Sequence, residues 1–387
     1  MSEKKDITQL TFICQTFGLG GAETVNTDLL LAAIHLEHIQ VHAYTTYKPF
    51  AVELKKVAIS TTILPIEIDI IGDWKGLLKA AILWPWAVLQ YLWIVWCSRH
   101  TDLILMSGFF EKIVVTPIAK LLGVPVVWIE FAPMNQLLEK FAGLPGILYR
   151  AVLQLPQQII VPTPHTQRYF LKYFAYAQDR LIVLPCARYN LKPELYQNTA
   201  VNEEPTVVCV SRMEPGKGQD ILVEAFAQVV KKFPLAKLLF VGEGGFTQLV
   251  KQKVSERKLD KNIQFLGRVK DALAVMATGT VCVFPSVWQL EGFGMVTIEA
   301  MALAKPIVAF NIGPSPEILE DGVTGLLARP GDSCDLAAKI IMLLEDQKLR
   351  QKLGKRAQQI YKKRYAFESI IKAYIQVFRQ ASQTDHA

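Results

Sequence analysis

Hydrophobic residues along the chain fall into short unbroken runs rich in Val, Ile and Leu. Between the runs, apolar residues recur every three or four positions. The first pattern predicts strands buried on both faces and the second predicts amphipathic helices. Residues 9–14, QLTFIC, read as the first strand. A glycine-containing loop follows, then a periodic stretch over 24–36 that predicts a helix. Further strands are expected at 39–45, 103–107, 125–129, 158–162 and 181–184 in the first half. In the second half they are expected at 206–210, 237–241, 262–265, 280–284, 306–310 and 324–327. Strands alternating with helices in this way indicate parallel sheets covered on both sides.

The strands form two sets. Residues 186–205, CARYNLKPELYQNTAVNEEP, separate them; this segment is polar, holds two prolines after the cysteine and lacks apolar periodicity. The expected architecture is α/β, with two Rossmann-like, doubly wound domains facing across a cleft. Their bounds are expected at 1–188 and 189–364, with a helix over 365–387 returning to the first domain. In open α/β sheets, ligands bind outside the carboxyl ends of the strands. One stretch departs from the alternation: 77–97, LLKAAILWPWAVLQYLWIVWC, is as long as a bilayer-spanning helix of ~20 residues. Pro85 is expected to interrupt it, and strands of one sheet flank it, which argues against a span. Two readings stay open: an apolar helix packed on the sheet, or a helix whose tryptophan face makes peripheral membrane contact.

Composition narrows the classes. Of 387 residues, 51% are hydrophobic, enough for two sizeable cores and too many for disorder. The net charge of +7 is mild, and the only basic concentration, within 348–364, reads as a solvated helix face, so no nucleic-acid partner is expected. Cysteines at 14, 97, 186, 209, 282 and 334 form no C-x-x-C pair, which suits free thiols in a reducing cytoplasm. The polar start, MSEKKDITQL, has no signal-peptide core. A cytoplasmic location is expected, with the inner face of the cytoplasmic membrane as the place for the peripheral reading. His35, His38 and His42 offer no coherent face for a metal, and His165 reads as a surface residue at a helix start.

Three stretches carry candidate chemistry. In 281–302, VCVFPSVWQLEGFGMVTIEAMA, a strand ends in a loop, and Gly292 and Gly294 precede a helix starting near Met295. Such a helix start presents backbone N–H groups to an anion. Glu291 and Glu299 flank it; they read either as a pair gripping ligand hydroxyls or as a loop charge and a surface helix residue. In 207–220, VVCVSRMEPGKGQD, Arg212 and Lys217 follow a strand, suited to a diphosphate or simply to a solvated turn. The P-loop spacing is absent. In 18–23, GLGGAE, Glu23 stands where a dinucleotide fingerprint needs glycine, leaving a backbone nest or a plain turn.

VSRMEPGKGQDILVEAF, FVGEGG, FLGRV, EGFGMVTIEAMA and IGPSPEILEDGVTGLL occur in this order. Together they resemble the retaining glycosyltransferases of GT-B fold, family 4 (group 1). The likeness is strong over the second half and rests chiefly on GGAE in the first. It implies transfer of a sugar from a nucleotide-sugar donor to a glycan or lipid-linked acceptor in polysaccharide or glycolipid synthesis, with no metal and no cofactor. It implies that Glu291 holds donor-sugar hydroxyls and Glu299 the ribose, and that backbone around Phe293, Gly294, Met295 and Val296 meets sugar and phosphate. Arg212 and Lys217 then stabilise the leaving diphosphate. Gly20 and Gly21 line the phosphate and acceptor side, and Gly267, Arg268 and Val269 lie near the base. Two departures stand out. Glu130, followed by Phe131, occupies the place of the histidine that many members carry. It reads as acting on the acceptor hydroxyl, acting on the donor sugar, or capping a strand end. At the linker, Cys186-Ala187-Arg188-Tyr189 replaces the usual Asn-Gly-Val-Asp. The competing readings are another GT-B sugar-nucleotide enzyme such as an epimerase, a nicotinamide oxidoreductase, and a non-catalytic sugar-nucleotide binder.

Overall fold

The computed structural model describes residues 7–68, 74–134, 138–189, 191–196, 199–200 and 202–383. Two compact units emerge: Met1–Tyr189 with Phe367–Ala387, and Asn190–Ala366. The first holds a parallel sheet of seven strands: β1 (Gln9–Cys14), β2 (Gln40–Thr45), β3 (Ser60–Ile63), β4 (Leu103–Met106), β5 (Val126–Ile129), β6 (Gln158–Val161) and β7 (Leu181–Val183). Its order is β3-β2-β1-β4-β5-β6-β7. The second holds a parallel sheet of six: β8 (Thr206–Val210), β9 (Lys237–Val241), β10 (Ile263–Gly267), β11 (Val281–Phe284), β12 (Ile307–Phe310) and β13 (Leu326–Ala328), in the order β10-β9-β8-β11-β12-β13.

Side chains alternate across each strand, and both faces are covered. Phe12, Leu103, Leu105 and Val127 join one core with Leu29 and Leu30 of the helix Gly21–Glu37 and Phe378 of the helix Phe367–Gln383. Ile13, Ile104, Met106 and Trp128 join the opposite core with Tyr91, Ile94 and Tyr149. Burial on both faces explains why the strands read as continuous apolar runs. In each unit the strand order reverses beside the first strand, between β1 and β4 and between β8 and β11. A crevice at the carboxyl end of the sheet opens at such a reversal.

Each of the twelve strands expected from the pattern is present within two residues of its expected bounds. β3 was not legible: its sequence, STTI, is short and mostly polar because it is the half-exposed edge strand. Pro85 does not interrupt its segment. One helix runs from Trp74 to Cys97, with Pro85 inside it. Pro85 and Ala81, whose carbonyl it leaves without its helical partner, both lie on the exposed side, where that loss is cheapest. His165 is buried, 8% exposed, within the helix Pro164–Tyr173, rather than at the surface. Cys186 and Ala187, expected in a linker, are buried in the first unit. Residues 190, 197, 198 and 201 of that segment lie outside the described residues.

Candidate functional site

In the second unit, the loops after β8 and β11 meet at the strand reversal. Gly218, with φ +74°, lets them touch: a Cβ there would stand 1.8 Å from the carbonyl oxygen of Pro285. That approach brings Lys217 to Glu291, whose Oε2 accepts from the lysine Nζ at 2.6 Å. Ser286 Oγ donates to the same oxygen at 3.1 Å. The ammonium lies 5.1 Å from the centroid of the Trp288 ring. Lys217 is buried, 8% exposed. An ammonium has three donors, so its bond to Glu291 leaves others for a ligand oxygen. Three residues after Glu291, Gly294 adopts φ +84° and starts the helix Met295–Ala302. First-turn amides of a helix have no acceptor within it and favour an anion.

The remaining expected residues divide. Glu299 is buried, 6% exposed, which removes the surface-helix reading. Met295 and Val296 are half-buried in the first turn. The Phe293 ring is buried against Tyr365, with centroids 6.0 Å apart, so its contribution to the loop edge is backbone. Arg212 is exposed and pairs with Glu214, Nη1 to Oε1 at 2.7 Å. Gly267 closes β10, two strands from β8, and its carbonyl accepts from the amide of Gly242 at 2.8 Å; Arg268 is exposed and Val269 half-buried. Sequence reading missed Ser286, Trp288 and Gln219. Gln219 is fully buried, and its Nε2 donates to Ser211 Oγ at 2.8 Å and to the Arg212 carbonyl at 2.7 Å, fixing the Arg212 loop. The one available signal was a glutamine directly after G-K-G, at a helix start. Among the described residues, no group of three or more His, Cys, Asp or Glu is arranged to hold a metal ion.

In the first unit, the loops after β1 and β4 enclose a cavity of about 180 Å³ at the other reversal, lined by Gln15, Thr16, Asn26, Ser107, Gly108 and Phe131 among others. Asn26 is buried; its Nδ2 donates to Ser107 Oγ at 2.9 Å and its Oδ1 has no protein partner. Gly20 and Gly21 form the entry to the helix Gly21–Glu37. Glu23 folds back over them, accepting from the Gly20 amide at 2.8 Å and from Thr16 Oγ1 at 2.6 Å. The residue that spoils the dinucleotide fingerprint therefore satisfies the loop itself. Under the cavity, Glu111 is fully buried, accepting from the amides of Gly108 at 2.7 Å and Gln15 at 3.2 Å. Burial pushes its carboxyl up to about 7 despite those bonds and the nearby Lys112 charge.

Glu130 follows β5 and is buried, 3% exposed. Its Oε1 accepts from Lys112 Nζ at 2.6 Å and from the Tyr149 hydroxyl at 2.5 Å, while Lys112 also donates to the Ile129 carbonyl at 2.8 Å. Burial, with the adjacent Glu130 charge, raises the Tyr149 hydroxyl well above its ordinary range and keeps it a donor. Nothing in the local sequence announced Lys112, which sits in the helix Phe110–Leu121.

Residues 192–360 match the family model described as glycosyl transferases group 1. An uncharacterized glycosyltransferase of Methanocaldococcus jannaschii is 29% identical over 268 residues, covering 64% of this chain and 72% of that protein. Phosphatidyl-myo-inositol mannosyltransferase of Mycobacterium leprae is 37% identical over 150 residues, covering 38% of this chain and 39% of that one. Several other matched relatives likewise share under half their length with the chain. Among solved structures, Anabaena HepE in complex with UDP-glucose superimposes with a TM-score of 0.80 at 22% identity, covering 97% of this chain and all of that one. The fold is GT-B.

Proposed function

From the match of residues 192–360 to the family model described as glycosyl transferases group 1, we propose that the chain moves a sugar from a nucleotide-sugar donor to a glycan or lipid-linked acceptor, with retention of anomeric configuration and without a metal. The observation that carries the reading is the Lys217–Glu291 pair at the β8/β11 reversal, set beside the helix that starts at Met295. The donor's diphosphate lies against the spare donors of Lys217, the guanidinium of Arg212 and the amides of Met295 and Val296. Glu291, oriented by Lys217 and Ser286, accepts from the donor-sugar hydroxyls. Glu299 takes the ribose, and Gly267, Arg268 and Val269 border the base. As the bond from the sugar's anomeric carbon to the diphosphate oxygen breaks, the electron pair leaves with the diphosphate. Fixed cations and helix amides stabilise that growing charge. The acceptor hydroxyl bonds the carbon from the face the diphosphate leaves and passes its proton to the departing diphosphate oxygen. No step calls for a divalent ion, because positive potential is already in place.

We assign the acceptor to the first unit, at the cavity beside Gly20 and Gly21, where the unpartnered Asn26 Oδ1 suits a hydroxyl donor. Glu130 acts as a positioning residue: its carboxylate is occupied by Lys112 and Tyr149 and holds the end of β5. Relatives named for sugar transfer to a phosphatidylinositol and to a polyol-phosphate polymer support the acceptor class. The six unpaired cysteines support a reducing compartment.

The test is a panel of nucleotide sugars screened by thermal stabilisation, then assayed for transfer in EDTA, with the fresh product read by NMR. Transfer that survives EDTA and keeps the donor's anomer supports the reading. Stabilisation without any transfer marks a non-catalytic binder. Loss of activity in EDTA with rescue by Mn²⁺, or an inverted product, overturns the mechanism.

A further inference from the structure

The outer face of the helix Trp74–Cys97 is apolar where a solvent-facing helix is polar. Its inner side, including Ala80, Ala87, Tyr91, Ile94 and Val95, belongs to the core of the first unit. Gln90 fixes that side by both donating to and accepting from the backbone of Ile66 at 3.0 Å. On the opposite side, three or four positions apart, stand Trp74, Leu78, Ile82, Trp86, Leu89, Trp93 and Trp96. Each is more than half exposed, from 53% at Trp93 to 74% at Ile82. The stripe is about 33 Å long at 1.5 Å per residue. At its far end Trp93 and Trp96 border a surface groove of about 380 Å³ whose other wall is Ile118, Leu121 and Leu122. Leu121 is 86% exposed. A contiguous apolar face of this size on a folded chain marks a contact surface.

Two features say what covers it. Four of the seven outward side chains are tryptophans, whose apolar ring and polar N–H suit the boundary between lipid headgroups and acyl chains. Exposed cations stand at both ends of the stripe, Lys75 and Lys79 at its start and Arg99 and Lys120 at its end, and the helix itself holds no Asp or Glu. The Arg99 guanidinium lies over the Trp96 ring, 4.7 Å from its centroid. A second copy docking through this face would bring the same cations toward each other across a two-fold axis. An anionic lipid surface neutralises them. The helix does not cross a bilayer, because its inner face is part of the core and the strands before and after it, β3 and β4, share one sheet.

We propose that this face docks the protein on an anionic lipid bilayer, the helix lying in the plane of the interface, with the tryptophans at headgroup level and the groove beside Leu121 receiving acyl-chain methylenes.

The full-length protein is mixed with vesicles of phosphatidylcholine alone, or of phosphatidylcholine with phosphatidylglycerol, and sedimented. It is expected to pellet with the anionic vesicles, less so as salt rises, with a blue-shifted tryptophan emission that brominated acyl chains quench. Trp86→Ser with Trp93→Ser is expected to weaken vesicle binding by about tenfold or more at an unchanged unfolding temperature. Should that pair disturb the fold, Leu78→Ser with Ile82→Ser, at the two most exposed aliphatic positions of the stripe, gives the same readout. Failure to pellet at low salt overturns the proposal. So does a concentration-dependent dimer that the same substitutions dissociate, since a second copy then covers the face.

Discussion

Lys217 and Glu291 hold each other, 2.6 Å apart and mostly buried. They therefore act as one device, and substitutions in it are not additive. Glu291→Gln keeps the shape and removes the charge; turnover is expected to fall on the order of a hundredfold, as on loss of a transition-state contact. Lys217→Met is expected to cost a similar factor. The double variant is expected to be little worse than either single one, and kcat values of all four proteins check this; a double loss equal to the product of the singles shows two independent roles. Glu111 gives a prediction of another kind. Its carboxyl is raised from an ordinary 4.5 to about 7 by burial, and its Oε2 has no hydrogen-bond partner. Below pH 4.5 the group is neutral in both the folded and unfolded states. Between about 4.5 and 7 the folded chain keeps a proton that the unfolded chain releases, so stability falls as pH rises through that window. The total is about 3 kcal/mol for a shift of this size. Glu111→Gln retains the acceptor for the Gly108 and Gln15 amides and cannot ionise. Urea unfolding at pH 5 and pH 8 is expected to show a smaller difference for the variant than for the parent, with the variant the more stable at pH 8.

At the scale of elements, what was readable depended on whether neighbours in space were also neighbours in sequence. The strand–loop–helix from β11 to Ala302 was legible because one run of residues contains the strand, the glycines and both glutamates. That Lys217 touches Glu291 was not, since it depends on β8 and β11 being adjacent in the sheet. The first-unit cavity draws on residues as distant as Gln15, Ser107 and Phe131, and the GLGGAE turn marks only one edge of it. Lys112 and Glu130 are likewise 18 positions apart and meet only because a helix packs beside β5. Pro85 was misread because a proline's cost depends on which side of the helix loses its hydrogen bond, and that side is a tertiary fact. The β8/β11 junction supplies the prediction at this scale. Gly218→Ala forces a Cβ against the Pro285 carbonyl at a backbone angle that alanine resists. It is expected to destabilise the second unit by more than about 1 kcal/mol. It is also expected to raise the KM for donor, by moving Lys217 off Glu291. Unchanged stability with unchanged KM would show that the two loops do not depend on this approach.

The two units are built differently along the chain. The second is one continuous stretch, Asn190–Ala366, whereas the first needs the last helix to complete it. Ile370, Ile371, Tyr374, Ile375, Val377 and Phe378 of that helix are buried in the first unit's core. The Tyr374 hydroxyl donates to the Leu184 carbonyl at 3.3 Å, and Arg379 pairs with Glu37 at 2.9 Å. At about 1.5–3 kcal/mol for each large apolar side chain removed from water, loss of this helix removes about as much as the 5–15 kcal/mol that holds a domain together. A chain ending at Ala366 is therefore expected to lose the first unit's thermal transition. The second unit has its own core, centred on Val207, Phe226, Phe240, Val283 and Phe310, and it holds Lys217, Glu291, Glu299 and the helix from Met295. Residues 190–366 alone are thus expected to fold and to keep donor binding without catalysis. A nucleotide sugar at a hundred times its dissociation constant adds about 2.7 kcal/mol, which for a unit of this size is roughly 5–10 °C in melting temperature. Calorimetry of the isolated segment with and without donor decides the matter. A segment that folds but gains nothing from a donor that stabilises the full chain would mean that residues of the first unit hold the nucleotide sugar as well, and the division of donor and acceptor between the units would have to be redrawn.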